Sequence, residues 1–205
     1  MATPINRDRI VTAALDLVDE QGAEALSLRA VAKRVDRQVS SLYNHISGRG
    51  ELIELVRGRI VAEIDVSAFD RDPWDVALGA WASSYLAAFA AHPNLVRLLA
   101  TTPIRDASTF AMYDAVVSAL VSSGWPMHDA VAVMRTVEAH VLGSALDMVA
   151  PADMLSQHAV PAEFASIRAA LDPAHASSYG ADRAFRLGIE ALLTGLRVRR
   201  SLLDR

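Results

Sequence analysis

The chain is predicted to be all-α, with a small N-terminal helical unit, a larger helical unit behind it, and about nine or ten helices in total. Three observations lead there. Apolar residues return every three or four positions along most of the 205 residues. No segment alternates apolar and polar residues as a half-buried strand would, and no internal repeat is present. The breaks between periodic segments carry helix-ending or helix-starting residues such as Gly22, Ser27, Pro73 and Gly124.

Taken in order, residues 6–21 place Ile10, Ala13, Ala14, Leu17 and Val18 on one helical face, and Gly22 is positioned to end that helix. Ser27 is positioned to cap a second helix carrying Leu28, Val31, Ala32 and Val35. "DRQ" (36–38) makes a short break before a third short helix, and Ser47, Gly48 and Gly50 make another. A fourth helix then runs past Ile64. Pro73 begins a fifth with Trp74, Ala77, Trp81, Tyr85 and Phe89 at three- and four-residue steps. Short and long helices follow over about 95–100, 104–122, 128–149, 161–171 and 181–203, with loops at 150–160 and around "DPAHASSYGAD".

Composition narrows the function classes. Apolar residues make up 52% of the chain, enough for a sizeable core. There is no cysteine, which removes disulfides, thiolate zinc sites and cysteine nucleophiles. No apolar run approaches the roughly 20 residues of a membrane helix, and the first ten residues lack the apolar core of a signal peptide. A cytoplasmic protein with no membrane partner is the expectation. Net charge is −4, but it is unevenly spread. Residues 1–60 hold nine Arg or Lys against eight Asp or Glu, and the remainder eleven against sixteen. An acidic body with a near-neutral head is compatible with a head that meets DNA.

The segment "VDRQVSSLYNHIS" (35–47) carries the strongest functional signal. Leu42 and Ile46, four apart, face a core, and Gln38, Ser41, Asn44 and His45 lie on the outer side. Surface helices are usually rich in Glu and Lys, yet residues 38–46 contain neither. Three short helices with a tight turn between the second and third make a helix-turn-helix, whose second helix enters the DNA major groove. Hydrogen-bonding side chains without carboxylates suit base edges and phosphates. The competing reading is a solvated surface helix.

Three stretches, "RIVTAALDLVDEQGAEALSLRAVAKRV", "SSLYNHI" and an Arg before "ELIELV", resemble the DNA-binding domain of the tetracycline-repressor (TetR) family over residues 7–55. "PWDVALGAWASSYLAAFAAHPNLVRLL" and "AHVLGSALDM" are similar to that family's C-terminal domain, and together these regions span about three quarters of the chain. The resemblance implies a DNA-binding domain over 1–48 and an effector-binding and dimerisation domain over 49–205, the fourth helix joining them. It implies a ligand-responsive regulator that binds a palindromic double-stranded operator as a homodimer and is released by a small molecule. Ser27, Arg29, Arg37, Gln38, Val39, Ser40, Ser41, Tyr43, Asn44, His45 and Arg49 would contact DNA, with Tyr43 and Arg49 on phosphates. Helix N-termini in the head also favour phosphate.

The chain departs from the family in the turn, where Asp36 and Arg37 replace the usual glycine and apolar residue. Asp tolerates a left-handed backbone better than most residues, and Arg37 either weakens the small core or swings outward.

In the body, Trp81, Tyr85, Phe89, Phe110, Tyr113, Met134, Glu138 and His140 are the candidates for an effector pocket, since the amphipathic tips of Trp81, Tyr85, Tyr113 and His140 are unusual in a dry core, although aromatic stripes at helical spacing more often form core. The founding repressors hold a metal-chelated drug with histidines, and this chain has none around Asp65 or in 95–103. An amphipathic organic effector is therefore expected, with no metal and no cofactor. Val141, Ser144, Ala145, Met148, Ile189, Leu192 and Leu196 are the candidate dimer contacts, on two helices rich in small residues. Two other readings compete with this one. An all-α enzyme would draw on His140, Ser144 and Asp147, but no nucleophile or phosphate motif supports it. A helical interaction module would have a head disabled at Asp36 and Arg37.

Overall fold

The computed structural model describes residues 5–151 and 153–204. Among them are ten α-helices and no strand: α1 (Arg7–Gln21), α2 (Leu28–Arg34), α3 (Val39–Leu42), α4 (Arg49–Val61), α5 (Trp74–Ala90), α6 (Pro93–Thr101), α7 (Ala107–Ser122), α8 (Met127–Asp147), α9 (Ala165–Ala170) and α10 (Ala181–Leu202). No helix is long and apolar enough to cross a membrane.

Helix ends follow the expected chemistry. Asn6 caps α1 by accepting the Arg9 N–H at 2.9 Å. Gly22, at φ 82°, closes it through an N–H donated to the Val18 carbonyl at 2.7 Å. Ser27 accepts the Ala30 N–H at 3.2 Å and starts α2.

The turn after α2 shows how Asp36 substitutes for glycine. Asp36 adopts φ 55°. Its N–H donates to the Lys33 carbonyl at 3.2 Å, and the Arg37 N–H reaches back to the Ala32 carbonyl at 2.9 Å. These two bonds form a Schellman motif with a left-handed residue at its hinge. Arg37 does swing outward: it is half-exposed, and its guanidinium donates to the Asp36 carbonyl at 2.7 Å. Because a side chain in the left-handed region is strained, Asp36→Gly should stabilise the protein by about 0.5–1 kcal/mol in urea unfolding. An unchanged midpoint would show that the aspartate bears no strain.

Leu42 and Ile46 are buried at 0% and 2% exposure; they join α3 to the shared core, where α3 packs on α2. The segment after Leu42 is a hydrogen-bonded turn, in which the His45 and Ile46 N–H groups both donate to the Leu42 carbonyl at 2.8 and 2.9 Å. Arg7 ties this turn to the rest of the head. Its Nε donates to the His45 carbonyl at 2.8 Å, and its Nη2 lies 3.0 Å from Glu51. Glu51 in turn accepts the Ser47 N–H at 2.6 Å, which fixes the entry to α4.

Two element boundaries differ from the periodic reading. α4 stops at Val61, short of Ile64. There the Ile64 N–H donates to Val61 and the Asp65 carboxylate takes the Ser67 N–H, so the chain turns away although Ile64 remains buried. α7 starts at Ala107, later than Ile104, because Asp106 caps it through the Thr109 N–H at 2.8 Å.

Behind the head, α5, α8 and α10 pack on one another, and α6 and α7 each pack on both α5 and α8. Trp81 sits at 0% exposure in the middle of this core. Two joints link head to body. α4 packs against α1, α5 and α7. At the second joint, Asn94 of α6 donates to the Val18 and Asp19 carbonyls, both at 3.1 Å, and so completes the end of α1. His92 lies 2.8 Å from the Asp19 carboxylate beside it.

Candidate nucleic-acid interface and ligand cavity

The head presents one polar surface around α3. Gln38, Ser40, Tyr43 and Asn44 are exposed, and Val39, Ser41 and His45 are half-exposed. Tyr43, at 57% exposure, stands away from the core. Ser27 and Arg29 are exposed at the start of α2. Arg49 donates from Nε to the Leu26 carbonyl at 3.0 Å, which draws the start of α4 alongside the start of α2. The predicted DNA-contact residues are thus exposed or half-exposed, while Leu42 and Ile46 between them are buried.

The cavity lies in the body, between α4, α5, α6, α7 and α8, and has a volume of about 950 Å³. Six of the eight residues proposed from the sequence line it: Tyr85, Phe89, Phe110, Tyr113, Met134 and Glu138. Tyr85 and Tyr113 reach from different helices to the same carboxylate oxygen. The Tyr85 hydroxyl donates to Glu138 Oε1 at 2.8 Å, and the Tyr113 hydroxyl donates to that oxygen too. Burial, reinforced by the Glu138 charge, raises both phenols above the ordinary tyrosine range, so both remain hydrogen-bond donors.

Trp81 and His140 are corrections. Trp81 is one turn before Tyr85 but turns into the core, its ring edge-on to Tyr85 at 5.3 Å and its indole N–H buried without a hydrogen-bond partner. His140 is two residues after Glu138, about 200° away around the helix, and so points out of the opposite side of α8. It stacks on Phe185 at 5.5 Å, lies 3.1 Å from the Phe185 carbonyl, and occupies the space beside Gly188 where a Cβ would fall.

The sequence reading missed Arg57. On α4 it falls between Ile53 and Ile60 on the buried face, and it is only 4% exposed. Its Nε meets Glu54 at 3.1 Å, while Nη1 and Nη2 donate to the Leu99 and Thr102 carbonyls, each at 3.0 Å. Glu54 also accepts the Arg105 N–H at 2.5 Å. The signal was available as a lone charge on an apolar stripe, but its partners, carbonyls at the end of α6, have no sequence signature. Thr102, Ile104, Asp114, Arg135 and Leu142 also line the cavity and were not anticipated.

Two of the dimer candidates, Val141 and Ala145, are corrected by their burial. Val141 and Ala145 are at 0% exposure within the subunit, and Met148, Ile189 and Leu196 are partly buried against the same core. Ser144 and Leu192 are half-buried. These positions share the side of their helices that packs inward with Phe185 and Leu193. The open faces are different ones: Gly143 and Leu146 on α8, and Leu187, Ala191, Val198 and Leu202 on α10. A Cβ added at Gly143 or Gly195 would meet nothing, whereas one at Gly188 would strike His140.

Comparison with known proteins finds matches to both parts of the chain. The pattern described as "Bacterial regulatory proteins, tetR family" matches residues 10–56, and "Tetracyclin repressor-like, C-terminal domain" matches residues 68–200. An HTH-type transcriptional regulator of Saccharopolyspora erythraea is 27% identical over 94% of this chain and 84% of its own length. The class A tetracycline repressor of Escherichia coli, from transposon 1721, is 28% identical over 97% of this chain and 93% of its own. Among solved structures, ActR of Streptomyces coelicolor in complex with actinorhodin superposes with a TM-score of 0.78 at 26% identity, covering 97% of this chain and 99% of that one.

Proposed function

The chain belongs to the tetracycline-repressor family of bacterial regulatory proteins, and we propose that it represses transcription by binding a DNA operator as a homodimer until a small organic molecule enters the cavity and releases it. The relatives are transcriptional regulators, which favours this reading over an enzyme or a non-DNA interaction module.

The observation that carries the proposal is the double role of α4. At its first residue, Arg49 braces the reading head. Two turns later, Arg57 lines the cavity and holds the end of α6 through two carbonyls. A ligand that displaces Leu99 or Thr102 disturbs Arg57, and with it the angle at which α4 carries the head. The two reading helices of a dimer must sit about 34 Å apart to enter successive major grooves. A small tilt of each head therefore lowers operator affinity, provided that the ligand binds the tilted state more tightly.

For the dimer, the open faces of α8 and α10 supply the surface. Leu187, Ala191, Val198 and Leu202 form a stripe at steps of four, seven and four residues, opposite the buried Phe185 and Leu193. Paired with Gly143 and Leu146 across a two-fold axis, it builds a four-helix contact in which small residues allow close approach.

The test is operator binding by the purified protein and by Tyr43→Ala, with DNA from upstream of its own gene and random DNA as the control. Tyr43 is exposed, so the variant should fold normally. Loss of a hydroxyl bonded to a phosphate should weaken operator binding by about tenfold. Equal binding of both proteins, or no preference over random DNA, would contradict the proposal.

A further inference from the structure

We infer that the cavity takes a ring-bearing organic cation, an amine or quaternary ammonium on an aromatic scaffold, with Glu138 as its counter-ion; this rests on the reading of the cavity as the effector site. Glu138 extends into the cavity wall from α8. Its Oε1 accepts two tyrosine hydroxyls, and both donors are neutral. Among the described residues, no Arg, Lys or His forms an ion pair with it, and its second oxygen has no hydrogen-bond partner.

The two arginines in the wall do not change this. Arg57 directs Nε to Glu54 and both Nη atoms to backbone carbonyls, so its charge is already compensated and its donors are turned away. Arg135, one turn before Glu138, is exposed. Glu138 is a partly buried carboxylate in a largely apolar wall, bonded to two neutral phenols and to no cation, so a ligand cation that covers it would supply the opposite charge it lacks.

The surrounding rings point the same way. Tyr85, Phe89, Phe110 and Tyr113 share the wall, with Tyr85 and Phe89 at a centroid separation of 4.9 Å. Ring faces attract cations within about 6 Å, and the attraction strengthens when water is excluded. Asp114 and Arg135, both exposed, also line the wall and offset one another in charge. An anionic ligand would meet the Glu138 carboxylate and find no uncommitted buried cation. A cavity of about 950 Å³ accommodates a scaffold of several fused rings.

The experiment is a fluorescence titration at pH 8 with three probes of one shape: N-methylacridinium, acridine and acridine-9-carboxylate. The full-length protein should bind the cation about tenfold more tightly than neutral acridine, and the carboxylate most weakly. In Glu138→Gln, checked for folding by its thermal melt, the preference for the cation should collapse. Equal affinity for cation and neutral probe, tightest binding of the anion, no saturable binding of the cation, or a preference that survives in Glu138→Gln would each overturn the inference. Operator release is scored separately with the same probes. Glu138-dependent binding of the cation without release would count against the effector reading and leave the counter-ion role standing. Release by the neutral or anionic probe alone would overturn the counter-ion role and leave the effector reading standing.

Discussion

Arg57→Ala is expected to cost about 3–5 kcal/mol of stability, because it removes one partner of a buried ion pair and leaves the other charge behind. The side chains of Arg57 and Glu54 are 5% and 14% exposed, so water cannot replace the lost partner well. The Leu99 carbonyl is buried and the Thr102 carbonyl partly so, and both lose their side-chain donor as well. Urea unfolding followed by circular dichroism measures the loss. A midpoint within experimental error of the parent would show that the fork contributes nothing. The conservative variant separates stability from signalling. Arg57→Lys keeps the charge, but an ammonium cannot serve a carboxylate and two separated carbonyls as a planar fork does. It should fold and bind operator, yet need more effector for release, since the end of α6 is no longer fastened to α4. An unaltered release curve in Arg57→Lys would remove Arg57 from the signalling route.

Much of the head was legible because its local chemistry is specific. Caps at Ser27 and Gly22, the left-handed Asp36, and the buried pair Leu42 and Ile46 all stand where short-range rules place them. In so small a unit each apolar residue has only one place to go. The body was harder to read. Helices α8 and α10 carry small or apolar residues on both faces, so periodicity identifies the helix but not the side that turns inward. Val141 and Ala145 were therefore assigned to the outside, although both are buried within the subunit.

The cavity shows the same limit in another form. Tyr85 and Phe89 were found because amphipathic rings on one stripe have a recognisable signature. His140 was grouped with Glu138 on chemistry alone, although two residues along a helix lie on nearly opposite faces. Arg57 went unread because its partners are main-chain carbonyls at the end of a helix more than forty residues away in sequence. Long-range contacts to backbone atoms are created by the fold and leave no trace in residue type.

Leu42→Ala is expected to abolish operator binding while leaving the ligand cavity working. Leu42 is fully buried, and truncating a buried leucine costs about 2–5 kcal/mol depending on how far its surroundings collapse. α3 has little else to hold it. It spans four residues, its start has no side-chain cap, and its apolar anchors are Leu42, Ile46 and the partly buried Val39. The hydrogen bonds of the following turn converge on the Leu42 carbonyl, so displacement of this one residue releases the backbone of Tyr43, Asn44 and His45 as well. Isolated helices of this length do not persist in water, so the segment becomes disordered once its anchor is gone. The body should feel much less. The end of α1 stays attached to α6 through Asn94, and α4 stays attached through Arg57. Hydrogen exchange should therefore show lost protection in residues 39–46 with protection retained in α5 and α8, and operator affinity should fall about a hundredfold or more. A cooperative loss of protection in α5 and α8 along with the head would show that head and body unfold as one unit. Retained operator affinity would show that DNA contact itself can reorder α3, which would make the reading helix an element folded by its target.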